Sequence, residues 1–423
     1  MSMSVPMRTS SPYPMISVAE ATREIQSRVS PLPPIERGFR EALGYVLAED
    51  VTAPDDLPPA MRSAVDGYAV VAQPGPLQLR VLRELTAGQS ADLRLDGDTA
   101  VRIMTGGVLP PGADAVVMVE DTEERDSVVA IKTSPKTGDN VQAAGLDARR
   151  GQVVLEAGKR IGPAEVGMLA TVGRTRVKVH PKPRIAVLAT GDEVVEPEEE
   201  PPVGYVRDSN RYALIAAATE AGGEVVWSGH ANDEPALLEQ AMREAIAVAD
   251  VLITSGGVSM GTRDLIKPLF EELGEIHFGR IAFKPGKPLT FATLGKVGGK
   301  PDGTAYAFGL PGFPVSSLVT FEVFVRPALR RLQGLSRVHR PRVLVELSHE
   351  LQPDGTRLEY QRATVRWQDD RLVATSTGKQ TSSRLITMVG ANALLEIPSG
   401  REPLPAGTRV PALLTGEIVA QDS

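Results

Sequence analysis

The residues of this sequence that could do chemistry fall in four short stretches. Thr190-Gly-Asp-Glu193 ends one apolar run, and Ser255-Gly256-Gly257-Val-Ser259 ends another. A third loop, Gly309-Leu-Pro311-Gly-Phe-Pro-Val-Ser316, follows a third such run. The fourth stretch, Arg280-Ile-Ala-Phe-Lys284-Pro-Gly-Lys287-Pro, sets two lysines on a turn stiffened by proline and glycine. Backbone N–H groups at Gly256 and Gly257 can approach an anion closely, and Thr254, Ser255 and Ser259 add hydroxyl donors. Lys284 and Lys287 can reach anionic oxygens. Asp264, at the start of a helical pattern, either caps that helix or holds a cation. The neighbourhood thus mixes acids (Glu193, Asp233, Asp264) with bases (Arg280, Lys284, Lys287). Acids alone repel a phosphate, whereas acids holding a divalent cation beside lysines bind one. Taken singly, each stretch also reads as a capped turn or a solvated charged rim. Four converging stretches are harder to read that way.

They converge only if the chain carries strand ends to one edge. Apolar runs at 185–189, 224–227, 251–254, 288–292 and 305–308 read as strands. Helical patterns at 209–221, 235–248, after Asp264 and at 315–332 alternate with them. That alternation predicts α/β architecture with a doubly wound, mostly parallel sheet, whose carboxyl edge is where ligands bind. Short strands between Gly, Pro and Asp turns fill 61–150 and 340–423, so small β domains flank the sheet. Further helices are predicted at 16–29, 42–51 and 163–171. The Gly-x-Gly-x-x-Gly fingerprint is absent, which argues against a nicotinamide dehydrogenase.

Composition narrows the classes. The 423 residues predict roughly three domains. A net charge of -7 argues against general affinity for nucleic acid or an anionic membrane surface. The absence of cysteine removes disulfides, thiolate metal sites and cysteine nucleophiles, and fits a reducing cytoplasm. No run approaches the ~18 apolar residues of a membrane span. The first 15 residues read as a loose tail without an apolar signal core.

The motifs together resemble the MoeA family of molybdopterin molybdenumtransferases, related to the C-terminal domain of gephyrin. Ser-Gly-Gly-Val-Ser at 255–259 with Asp264, Lys-Pro-Gly-Lys-Pro at 284–288, and Gly-Leu-Pro-Gly at 309–312 carry the resemblance. Ala-Thr-Gly-Asp-Glu at 189–193 and Ser-Ala-Val-Asp-Gly-Tyr at 63–68 complete it. The match runs in order from about residue 16 to the end. It implies insertion of molybdenum from molybdate into adenylylated molybdopterin, with release of AMP and a divalent cation such as magnesium. It implies an elongated homodimer of four-domain subunits, with a molybdopterin adenylyltransferase as upstream partner. The domains would be 34–52 with 152–182 (linking), 53–151 (inserted β), 14–33 with 183–332 (α/β) and 333–423 (C-terminal β-barrel). By similarity the catalytic positions are Asp66, Thr105, Asp147, Glu193, Asp233 and Asp264, with Glu193 and Asp264 as cation ligands. Ser255, Gly256, Gly257, Ser259, Arg280, Lys284, Lys287, Pro311, Arg362 and Ser383 would bind substrate. Arg280 stands where the family is expected to carry lysine, Gln142 where an arginine often sits, and Phe313 where asparagine is usual.

Two other functions fit part of these features. A molybdopterin adenylyltransferase shares the α/β domain but needs no flanking β domains. A non-catalytic scaffold of the same fold needs none of Asp66, Glu193 and Asp264.

Overall fold

The computed structural model describes residues 12–86, 88–89, 93–257, 265–295, 304–353 and 355–418. The chain forms two compact units, one of Glu36–Lys178 and one of the remaining residues. Its first helix, α1 (Val18–Arg28), is fixed by a capping box in which Ser17 and Glu20 satisfy each other's backbone N–H groups.

The Glu36–Lys178 unit is almost all β. Its main sheet uses β1 (Gly67–Val70), β2 (Leu77–Leu85), β3 (Thr99–Ile103), β4 (Ala115–Met118), β5 (Thr122–Arg125) and β6 (Val128–Ile131). Their spatial order is β4-β1-β3-β2-β6-β5. Both faces are covered, Tyr68 and Val117 packing on one side and Ala69 and Val116 on the other. Short strands Val51–Thr52 and Val153–Leu155 pair beyond it. One helix, α2 (Pro163–Thr171), starts at a proline that needs no N–H partner there. The helix predicted at 42–51 is absent. A 3-10 turn, Phe39–Glu41, and strands Val46–Leu47 and Val51–Thr52 take its place. Gly44, at φ +82°, reverses the chain where a helix would have to continue, and buried Val46 and Leu47 then pair as a strand.

The other unit holds the α/β sheet. Its elements are β7 (Arg184–Thr190), α3 (Asn210–Glu220), β8 (Glu224–Ala231), α4 (Pro235–Val248), β9 (Val251–Ser255), α5 (Ile266–Leu273), β10 (Gly274–Phe278), β11 (Phe283–Lys284), β12 (Thr290–Leu294) and β13 (Ala305–Leu310). The sheet order is β8-β7-β9-β13-β12-β10. Strands β8, β7, β9 and β13 run parallel, while β12 and β10 add an antiparallel edge. Alternation along the strands explains the two layers. Ile185, Val187, Val251 and Ile253 pack with α1, α3 and the last helices, whereas Ala186, Leu188 and Leu252 pack with α4 and α5.

The final helical stretch is α6 (Pro314–Thr320), a π-helical turn (Phe321–Val325) and α7 (Arg326–Leu332). The wide turn lies just before Pro327, which lacks an N–H and would crowd a regular turn. Strands β14 (Arg342–Leu347), β15 (Leu358–Gln368), β16 (Arg371–Ser376), β17 (Ala393–Ile397) and β18 (Arg409–Leu414) then close on themselves as a small barrel. Its inward residues include Val345, Val365, Leu395 and Val410. An outside strand joins it: β11 pairs in parallel with β15, Phe283 opposite Leu358 and Lys284 opposite Glu359.

Candidate functional site

Three parallel strands end level with one another. Ala189 of β7 is in register with Ser255 of β9, and Ser255 with Leu310 of β13. The loops after them form one wall of a cavity of about 1090 Å³. Gly256, at φ +97°, allows the first two loops to touch, since a Cβ there would lie 2.8 Å from the Thr190 carbonyl oxygen. Gly257 lies beside it on the wall, and Pro311 comes from the third loop.

Acids and bases both line this space. Glu193 and Asp233 are on its lining, as is the turn carrying Lys284 and Lys287. Lys284 Nζ lies 3.1 Å from Glu359 Oε1, a carboxylate with a side chain only 4% exposed. Lys287 makes no ion pair among the described residues. The acidic rim is braced by Arg211, whose guanidinium donates to Asp208 Oδ2 at 2.9 Å and to Glu196 Oε1 at 2.6 Å. Those bonds hold the Glu196 carboxyl below the usual carboxylate range. They also seat the first turn of α3, where Asn210 Nδ2 donates to Ser255 Oγ and to Gly312 O.

The remaining wall comes from the barrel. Arg357, Gln380, Thr381, Ser382 and Ser383 line it. Arg357 Nη1 donates to the Phe283 carbonyl at 3.1 Å, and Val315 N donates to Ser382 O at 3.1 Å, so this wall is bonded to the sheet side. Arg362 lies behind that wall. Its side chain is fully buried, and it donates to Thr387 Oγ1 and to the Gln380 and Thr381 carbonyls. It therefore holds the loop that lines the cavity.

Nine of the sequence candidates thus meet at one cavity: Glu193, Asp233, Ser255, Gly256, Gly257, Lys284, Lys287, Pro311 and Ser383. Arg280 is not on its lining. The Arg280 carbonyl accepts from Ile16 N, and its Nε is buried without a partner among the described residues. Ser259 and Asp264 lie outside the described residues. Sequence reading missed Asn210, Arg357 and 380–382. A polar residue opening a helix on the carboxyl side of a parallel sheet was a usable signal for Asn210. No local signal marks the others.

Three candidates belong to the Glu36–Lys178 unit. Asp66 Oδ1 accepts from Thr105 N at 2.7 Å and from Thr105 Oγ1 at 2.8 Å. The backbone bond first, then the hydroxyl, holds the exposed Asp66 carboxyl below its ordinary range. Asp147 is exposed in its own loop. A depressed carboxyl pKa favours the folded state above the ordinary aspartate range, and the advantage disappears as pH falls through Asp66's own pKa. Thr105→Val removes one of the two donors. The Asp66 pKa should then rise part of the way back, as read by carboxyl NMR titration, and an unmoved titration contradicts this account.

Similarity to known proteins agrees with this arrangement. Residues 16–173 match the MoeA N-terminal region (domain I and II), residues 186–331 a probable molybdopterin binding domain, and residues 345–415 the MoeA C-terminal region (domain IV). Molybdopterin molybdenumtransferase from Nostoc sp. is 36% identical over 379 residues, covering 87% of this chain and 86% of the relative. The chain belongs to the molybdopterin molybdenumtransferase family. A second family member, molybdopterin molybdenumtransferase 2 of Mycobacterium tuberculosis, is 35% identical over 94% of this chain and 98% of its own length. Gephyrin of Dictyostelium discoideum is 36% identical over 89% of this chain, which spans only 59% of that longer protein. Among solved structures, the molybdopterin biosynthesis MoeA protein of Pyrococcus horikoshii superposes with a TM-score of 0.80 at 32% identity. It covers 96% of this chain and all of its own. The family's multidomain fold, an α/β sheet with flanking β domains, is the one found here.

Proposed function

We propose that this chain transfers molybdenum from molybdate into adenylylated molybdopterin, releasing AMP, in molybdenum cofactor biosynthesis. The observation that carries the reading is the cavity itself, which a glycine loop, two lysines and two carboxylates line together at the carboxyl edge of a parallel sheet. Its volume suits a nucleotide-sized ligand. The Gly257 backbone N–H, with the Ser255 hydroxyl, binds phosphate oxygens, while the Gly256 N–H is donated to the Leu310 carbonyl. Lys284, Lys287 and Arg357 offset the charge of phosphate and molybdate. AMP release breaks a phosphoanhydride bond by addition of water to phosphorus. Glu193 or Asp233, as carboxylate, can accept the proton that water loses.

Among the described residues no cluster of three or more metal-ligating side chains is found. Magnesium does not require one, because it commonly takes one or two carboxylates together with substrate phosphates. Glu193 and Asp233 are oxygen donors of that kind, so they fit the ion, which when bound would neutralise phosphate charge. The same reading includes a cytoplasmic homodimer supplied by a molybdopterin adenylyltransferase. It also keeps the four-domain division expected from the resemblance. Among the described residues no helix is long and apolar enough to cross a membrane.

The test is AMP release from adenylylated molybdopterin by the purified chain, with and without molybdate. Molybdate-dependent release is expected, and a chain that binds the substrate but never releases AMP contradicts the reading. Lys287→Ala should weaken binding about tenfold, the scale of one charge-assisted hydrogen bond, with a shallower salt dependence than the parent. Equal affinities at low salt rule out its anion contact.

A further inference from the structure

Asn210 opens α3 at the cavity, and its amide joins the second and third strand-end loops. Nδ2 donates to Ser255 Oγ at 2.8 Å and to Gly312 O at 2.7 Å. The orientation of the amide follows from its partners. A carbonyl oxygen has no hydrogen to give, so the nitrogen must face Gly312. That nitrogen has two N–H groups and accepts nothing, so Ser255 receives the second. A serine hydroxyl that accepts here keeps its own hydrogen for another acceptor. Among the described residues it finds none. The other end of the amide is unusual too, because Asn210 Oδ1 is buried and accepts no hydrogen bond among the described residues. A buried acceptor left empty is unfavourable, so stability alone does not account for an amide here. The two loops it joins are in contact with each other, a Cβ on Gly312 lying 3.6 Å from Gly256 Cα.

We propose that Asn210 is a positioning residue: it aims the Ser255 hydroxyl hydrogen into the cavity as a donor to a substrate phosphate oxygen. The inference rests on the reading of the cavity as a phosphate-ester site, and the experiment separates the two.

Titration calorimetry of the full chain with adenylylated molybdopterin, and separately with inorganic phosphate, compares the parent with N210A, S255A and N210A/S255A. S255A should weaken both ligands about tenfold, the scale of one hydrogen bond to a charged group. N210A should lose a similar factor although it removes no direct contact. The double variant should lose no more than S255A alone, because both substitutions remove one donor. A merely structural Asn210 would instead lower the melting temperature, and its loss would multiply with that of S255A. Multiplied losses, or parent-like affinity in N210A, overturn the proposal. If N210A does not fold, N210S takes its place in the same cycle with the same criterion. A parent that binds phosphate with this coupling yet releases no AMP keeps the role of Asn210 and removes the molybdenum reading. A parent whose phosphate affinity ignores both substitutions removes the role of Asn210.

Discussion

Arg362→Ala will lower the stability of the chain by about 3 kcal/mol and weaken substrate binding, although Arg362 does not line the cavity. Its guanidinium donates to Thr387 Oγ1 at 3.1 and 3.0 Å, to Thr381 O at 3.1 Å and to Gln380 O at 3.4 Å. Burial pushes its pKa down to about 10, with Glu359 opposing in part. Deleting the side chain relieves that desolvation, which is a gain. It also strips partners from buried carbonyls and leaves a void, and those losses are larger, of order 2–5 kcal/mol for a large buried side chain. The loop at 380–383 then loses its anchor, and with it one wall of the cavity. Arg362→Lys keeps a charge but not the planar fork, so it should recover less than half of the lost stability. Urea unfolding and calorimetry measure both effects. A parent-like unfolding midpoint in Arg362→Ala would falsify the anchoring role.

Lys284→Ala should also destabilise the chain, by about 2 kcal/mol, and a second substitution should reverse that loss. Its ammonium is the partner of Glu359 Oε1, and Glu359 Oε2 is buried with no hydrogen bond among the described residues. Removing one member of a buried pair strands the other charge, at about 3–5 kcal/mol when both are fully buried. Lys284 is 29% exposed, so the smaller figure applies. In Lys284→Ala/Glu359→Gln the stranded charge is gone, and stability should return to within roughly 1 kcal/mol of the parent, the net worth of an ordinary hydrogen bond. Binding of phosphate ligands should stay weak, because the ammonium is still missing. A double variant as unstable as Lys284→Ala, in the same urea titration, shows that the pair is not the cause.

The sheet and half of its site were readable because their signals are local. Three apolar strands each run straight into a glycine loop, at Thr190-Gly, Ser255-Gly-Gly and Leu310-Pro-Gly, and right-handed crossovers leave those ends on one edge. The barrel wall was not readable. Arg357 and 380–382 reach the cavity through pairing of Phe283 and Lys284 with Leu358 and Glu359, partners far apart in sequence with no pattern linking them. Arg362 was flagged by resemblance, but only the fold shows that it acts from behind the wall. The region at 42–51 was misread because Leu43, Val46 and Leu47 have helical spacing, while Gly44 takes a conformation that no helix interior accepts. The strand at 274–278, directly after α5, had no expectation attached to it.

The pairing of β11 with β15 has a consequence for exchanging parts between relatives. A chimera joined at residue 332 would take the barrel from one parent and its extra strand from the other. Position 284 would then come from one lineage and position 359 from another, across a single ladder. A lysine arriving opposite a non-acidic residue, or a glutamate opposite a non-basic one, would leave a charge unmatched in the seam. Hybrid proteins that carry 283–284 along with 333–423 should survive such grafting, while those cut at the apparent sequence boundary should not.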